Sequence, residues 1–272
     1  MTRHFPVPRL GGRRLALPFV LFVTMVSALA ASGPLTQAAR LAPRPKVEQR
    51  VPYEVGETLD YDVSWSSYLT AGKVTFTVEA KRPSYGSTAY YVVAEAKPVG
   101  VLAGLYTLYY KADTLIDVFT LLPQRGSIYS REGRRERMKV TLFDHATRTA
   151  TFQMRTTSTM EKAVGLGVST QDVLSAIYAI RTIAPRPGER ITMPVTDSGT
   201  LYRVQLVVGQ PEPTRLADGS TVQAMRLSPT VVDEAGQTRN LRGSVWLAAD
   251  GTYKPVRFEA SLPVGRIVLA LQ

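Results

Sequence analysis

The chain has 272 residues, with 33 basic against 22 acidic side chains, a formal charge of +11 and no cysteine. Without cysteine it has no disulfide, no thiolate metal site and no lipid-modified cysteine. A basic excess suits an anionic cell envelope and is also ordinary for solubility.

Arg3, Arg9, Arg13 and Arg14 open the chain with no acid among them. An apolar run follows from Leu15 to Ala31, holding Ala28-Leu29-Ala30 near its end. That layout predicts a secretory signal peptide over residues 1–30. As an uncleaved anchor the run is short and is weakened by Pro18, Thr24 and Ser27. The Arg13-Arg14 pair lacks a following aromatic, which favours general secretion over the twin-arginine route. Cleavage removes four arginines and no acid, so the charge falls from +11 to +7. Roughly 240 residues remain, enough for one large β domain or two small ones. Residues 31–52 carry Pro34, Pro43, Pro45 and Pro52 without a hydrophobic period, and read as an extended linker. A single β-rich domain is expected over 53–272.

Within it, period-two alternation dominates. Leu59, Tyr61, Val63 and Trp65 alternate with Asp60, Asp62 and Ser64, and Val74, Phe76 and Val78 repeat the pattern. Leu201–Val208 and Val256–Ala260 alternate in part. Turn residues separate these runs at Pro83-Ser84-Tyr85-Gly86, Glu132-Gly133, Asp197-Ser198-Gly199, Asp218-Gly219 and Asp250-Gly251. Trp65 and Trp246 are both expected on buried strand faces. The apolar segment Val99–Tyr110 reads as a bend leading into a buried strand, or as a greasy lip over a cavity. One segment has helical spacing: Val173, Leu174, Ile177, Tyr178 and Ile180, with Ser169 and Asp172 as a capping box and Pro185 as a stop. It predicts one amphipathic helix at about 169–183, packed on the sheet. The fold class is mainly β: a large curved antiparallel sheet or partly open β-barrel.

The chemistry-bearing residues are sparse. Once the leader is removed His145 is the only histidine, and it sits in a turn-like Phe143-Asp144-His145-Ala146-Thr147. No Gly-x-Ser-x-Gly elbow, zinc or calcium spacing, dinucleotide fingerprint or P-loop occurs, so no catalytic, cofactor or metal residue is assigned. Glu54, Glu57, Asp60 and Asp62 cluster in sequence and read as structural; Asp60 and Asp62, alternating with apolar residues, fall on the solvated face of a strand. A carboxylate pair that meets only in space would support a hydrolase, the least favoured class. The densest charge is Arg131-Glu132-Gly133-Arg134-Arg135-Glu136-Arg137-Met138-Lys139, which reads as a hairpin. Its guanidinium groups at Arg131, Arg134, Arg135 and Arg137 suit phosphate or carboxylate. They equally suit a charged sheet edge that resists aggregation. Arg135 and Arg137 share a strand face, and Arg131 joins them if the turn register allows. A chain sent out of the cytoplasm is not expected to meet nucleic acid.

Three stretches resemble bacterial exported proteins of domain-of-unknown-function family 3108. The first is Gly56-Glu57-Thr58-Leu59-Asp60-Tyr61-Asp62-Val63-Ser64-Trp65, with Ala71-Gly72 beyond it. The second is Asp172-Val173-Leu174-Ser175 with Tyr178 and Arg181. The third is Val245-Trp246-Leu247-Ala248-Ala249-Asp250 with Lys254-Pro255-Val256. The resemblance covers Tyr53 to Gln272. It implies a strongly curved antiparallel sheet with a helix, like the YmcC-like envelope proteins, and carries no catalytic residues. The functional expectation is a non-catalytic periplasmic or envelope protein that binds an amphiphilic or anionic envelope component, whether envelope lipid, polysaccharide or envelope protein, in or near the curved sheet. The alternative is an envelope interaction module without a small ligand.

Overall fold

The computed structural model describes residues 46–65, 69–105, 107–239, 242–262 and 265–272. The expected signal peptide and residues 31–45 of the expected linker lie outside them. In chain order the strands begin with β1 Thr58–Trp65, β2 Leu69–Ser84 and β3 Ser87–Pro98. A short helix, α1 Gly100–Leu105, leads to β4 Leu108–Asp117, β5 Pro123–Glu132, β6 Arg135–Asp144, β7 Thr149–Arg155 and β8 Thr159–Gly165. Then come β9 Gln171–Asp172, the helix α2 Val173–Ile183, β10 Arg190–Asp197 and β11 Thr200–Arg215. The chain ends in β12 Thr221–Asp233, β13 Thr238–Arg239, β14 Arg242–Ala248, β15 Pro255–Leu262 and β16 Gly265–Leu271.

All sixteen strands form one sheet, ordered β8-β7-β6-β5-β4-β3-β2-β1-β16-β15-β14-β12-β11-β10-β9, with β13 on β12. Every pairing is antiparallel except β9 with β10. The first strand pairs the last, Tyr61 opposite Leu271, so both halves of the chain meet at the centre of the sheet. Its two ends then curl toward each other. At the tip of the β10–β11 hairpin Ser198 and Gly199 both have positive φ, as a tight type I′ loop requires. Gly199 lies against the ring of Phe152 on β7, and a Cβ there would come within 2.8 Å of it. Lys139 Nζ on β6 donates to Ser198 Oγ at 2.8 Å. The sheet is thus joined along a seam by side chains rather than by a ladder, the arrangement of a partly open barrel.

α2 occupies the middle of the concave face. Leu174 and Tyr178, one turn apart, pack with Tyr53, Leu59, Tyr61, Phe76 and Val92. Ala176 and Ile180, the parallel pair, pack with Met193, Leu206, Leu227 and Leu247. Two stripes of one helix thereby bury both halves of the sheet. Its N-cap is Asp172, whose side chain accepts from the backbone N–H of Leu174 and Ser175, while Ser175 Oγ accepts from the Asp172 N–H. This corrects the expected cap at Ser169, which instead turns the chain at φ 61°. Gln171 and Asp172 are held in place by parallel pairing with Val195 and Thr196. Ala184 ends the helix in the left-handed conformation, just before Pro185.

Three further expectations change. Residues 46–52, read as linker, lie on the domain: Gln49 N–H donates to the Val118 carbonyl at 2.9 Å, and Lys81 pairs Glu48 at 2.7 Å. The bend expected near Val99 is a turn of helix, α1, before β4. Trp65 is 40% exposed, while Trp246 is 7% exposed as expected.

Candidate functional site

Burial falls along β1. Leu59 and Tyr61 are 4% and 0% exposed beside α2, whereas Trp65, on the same face, is 40% exposed. Trp65 projects beyond the reach of the helix and lines a cavity of ≈ 650 Å³ with Val63, Val74, Ala96, Leu108 and Ile267. Ile267 and Leu269 are shared with a second cavity of ≈ 530 Å³ beneath Ile177 and Ile180, also lined by Val204 and Phe258. Val173 and Ile177 are shared in turn with a third of ≈ 380 Å³, near the seam, lined by Phe152, Thr141 and Asp172. Each volume falls in the ≈ 300–1,000 Å³ range of small-molecule sites. Through these shared residues the three lie in series, as an apolar trough, along the sheet face that carries α2.

Gly72 helps to shape the wall of the Trp65 cavity. β1 and β2 shift register at Val63/Ser64, and a Cβ on Gly72 would come within 2.7 Å of the Lys97 carbonyl oxygen. Only glycine lets β2 and β3 approach so closely there. α1 connects Pro98 to β4 at this end, and Pro98 and Leu108 both line the cavity.

The rim on β5 and β6 is polar. Glu132 lies opposite Arg135, and Ser130 opposite Arg137, with Gly133 at φ 60° in the two-residue loop between the strands. Directly opposed residues share a face. Glu132 also lies opposite Leu108, a lining residue, so Arg135 and Arg137 are on the concave side. Arg131 lies opposite Glu136, on the other face, and its Nε is 3.8 Å from that carboxylate. Arg134 is exposed in the loop. The four guanidinium groups therefore divide: two face the trough, one stands at the tip, and one faces away. The same alternation places Lys139 on the concave side, opposite Ile128. Sequence reading passed over it, although Arg135, Arg137 and Lys139 are spaced by two. Tyr110 Oη donates to Glu132. Burial, and then this bond, push the Tyr110 hydroxyl up to about 12, so it stays a donor at neutral pH.

Asp172 is the acid of the seam end. Thr114 Oγ1 donates to it at 2.6 Å, Leu174 and Ser175 N–H at 2.8 Å, and Gly126 packs against the carboxyl. Burial among these groups raises its pKa above the usual carboxylate value. A raised carboxyl pKa stabilises the fold fully below the unfolded value, and that contribution is lost as pH rises through the folded value. Asp172→Asn keeps a good cap and removes the titration. Its urea midpoint is expected to gain on the parent's as pH rises from about 4 to 7; a constant offset across that range would rule out this linkage. His145 lies outside the trough, its Nε2 2.8 Å from the Pro123 carbonyl and its ring stacked on Phe143.

The family described as Protein of unknown function (DUF3108) matches residues 60–272. Among solved structures, the beta-barrel-like protein of domain of unknown function DUF1849 from Brucella abortus is similar at TM-score 0.50 and 10% identity. That match covers 80% of this chain and 96% of that one, and it shows a shared fold. A candidate exported protein with a YmcC-like fold from Bacteroides fragilis aligns at TM-score 0.29 and 9% identity, over 83% of this chain and 98% of that one. No curated protein matches the chain.

Proposed function

We propose a non-catalytic, ligand-holding role for this chain, which belongs to the DUF3108 family. In this reading it is exported, as its N-terminal pattern suggests, and its trough holds the apolar part of an amphiphilic envelope component. The observation that carries the reading is the 40% exposed Trp65 inside a cavity of ≈ 650 Å³. A strand face that serves only as core is covered by its partner element, as Leu59 and Tyr61 are by α2. This face continues past the helix with the same residue types, and Trp65 there is 40% exposed among the described residues. Apolar lining with a few polar groups at the margin is the usual build of a small-molecule site.

The test is a titration with the apolar dye N-phenyl-1-naphthylamine. Saturable binding with about one dye per chain is expected. Ala96 sits in the cavity wall between Val74 and Tyr110. Ala96→Phe fills that space and is expected to weaken binding about tenfold or more, equivalent to about 1.4 kcal/mol, with an unchanged far-UV spectrum. Absence of saturable binding by the parent would overturn the reading.

A further inference from the structure

We infer that the trough takes an anionic amphiphile, its chain against Trp65 and its acidic headgroup at Arg135 and Arg137. The inference rests on the trough reading above and adds the charge and the direction of the ligand.

Strand register carries the argument. Leu108, in the cavity wall, lies opposite Glu132, and Glu132 lies opposite Arg135. The neighbouring row runs Val74, Ala96, Tyr110, Ser130, Arg137. Val74 and Ala96 line the same cavity. Both rows therefore pass continuously from apolar wall to guanidinium on one face. Adjacent strands are about 4.8 Å apart, so the Arg135 backbone is about 10 Å from that of Leu108. That is a short step between a chain in the cavity and a headgroup at the rim.

The charge at the rim is positive. Arg135 and Arg137 share the concave face of this hairpin with one acid, Glu132, and Arg134 stands exposed at its tip. Arg137 Nη1 is 3.8 Å from Glu132, a loose contact, and the hydroxyl of Tyr110 occupies the same carboxylate. Among the described residues Arg134 and Arg135 form no ion pair. Lys139 continues the basic line toward the seam, where Ser198 accepts from it. Arginine presents planar paired donors that match a phosphate or carboxylate headgroup. A chain without charge would gain nothing from this rim, and a free anion would gain nothing from the cavity; one molecule carrying both uses the whole face.

The experiment uses brominated single-chain lysolipids below their micelle concentration, one with a phosphoglycerol headgroup and one with phosphocholine. Bromine quenches a nearby indole. Trp65 lines the cavity, while Trp246 is buried beside Glu212, its Nε1 donating there at 2.6 Å. Quenching by both lipids is expected, with a midpoint about fivefold to tenfold lower for the anionic one at low salt. The gap is expected to shrink as salt rises. Arg135→Gln with Arg137→Gln is expected to bring the two midpoints together at unchanged maximal quenching. Arg131→Gln, on the opposite face, is expected to keep the gap. Equal midpoints in the parent, or a gap that survives the double substitution, would overturn the headgroup assignment while quenching upheld the trough. Loss of the gap in Arg131→Gln alone would overturn it in favour of diffuse charge. No quenching by either lipid would overturn both this inference and the trough reading.

Discussion

Arg181→Met is expected to lower the unfolding free energy by about 3–5 kcal/mol, the cost of leaving one partner of a buried ion pair alone. Arg181 is fully buried. Its Nη1 donates to Glu57 Oε1 at 2.6 Å, and its Nη2 to Glu57 Oε2 at 2.9 Å and the Pro52 carbonyl at 3.2 Å. The rings of Tyr53 and Tyr178 each stand 5.4 Å from the guanidinium carbon. The pair thus ties the last turn of α2 to the segment that precedes β1. Methionine keeps most of the apolar stem but leaves the Glu57 carboxylate, 10% exposed, without its cation. Replacing both charges, Arg181→Met with Glu57→Met, is expected to recover much of the loss, because two neutral side chains need no mutual compensation. Urea unfolding of the parent, both single variants and the double variant checks this. A single-variant loss below about 1 kcal/mol would mean that the pair behaves like a screened surface pair.

That ion pair also explains why the sequence motifs stand where they do. Glu57 belongs to the first family-like stretch, and Arg181, with the capping residues Asp172 and Ser175, to the second. Tyr61 of the first donates its hydroxyl to the carbonyl of Pro255 in the third at 2.5 Å. Gly72 lets β2 and β3 close up. The residues that carry the resemblance hold the strands and helix together, so curved sheet and helix were readable from sequence. The trough was not. Trp65, Leu108 and Ile267 follow the same alternation as Leu59 and Tyr61, and only the position of α2 along the face decides which of them is covered. The helix start was misread because Ser169 and Asp172 are both capable caps, and a parallel pairing with β10, remote in the sequence pattern, selects Asp172. α1 was missed because six residues without a polar cap carry no helical period. The division of the arginines required the register of β5 with β6, which no local signal in Glu132-Gly133-Arg134 specifies.

The two tryptophans are expected to separate stability from binding. Trp246→Ala should cost about 3–5 kcal/mol, the range for truncating a large aromatic in a packed site. Its ring is 7% exposed, packed with Ala224, Ala248 and Val256, and lies between the guanidinium groups of Arg226 and Arg257, 5.2 and 5.8 Å from the ring centre. Its removal also leaves Glu212 without the indole N–H. Trp65 has the same sequence setting, a β pattern with polar neighbours, and from sequence the same loss is expected. With 40% of its surface already in water, its truncation should cost only about 1–2 kcal/mol, a part of the transfer value for a full burial. The difference should reappear in ligand binding. Trp65→Ala enlarges the cavity wall and removes the aromatic surface that an apolar chain would cover, so N-phenyl-1-naphthylamine affinity should fall while Trp246→Phe leaves it near the parent value. Denaturant unfolding and dye titration on the same samples test both halves. Equal stability losses at the two positions would place Trp65 in the core and remove the open end of the trough. A small loss at Trp65 with unchanged dye affinity would keep the open face but move the ligand away from it.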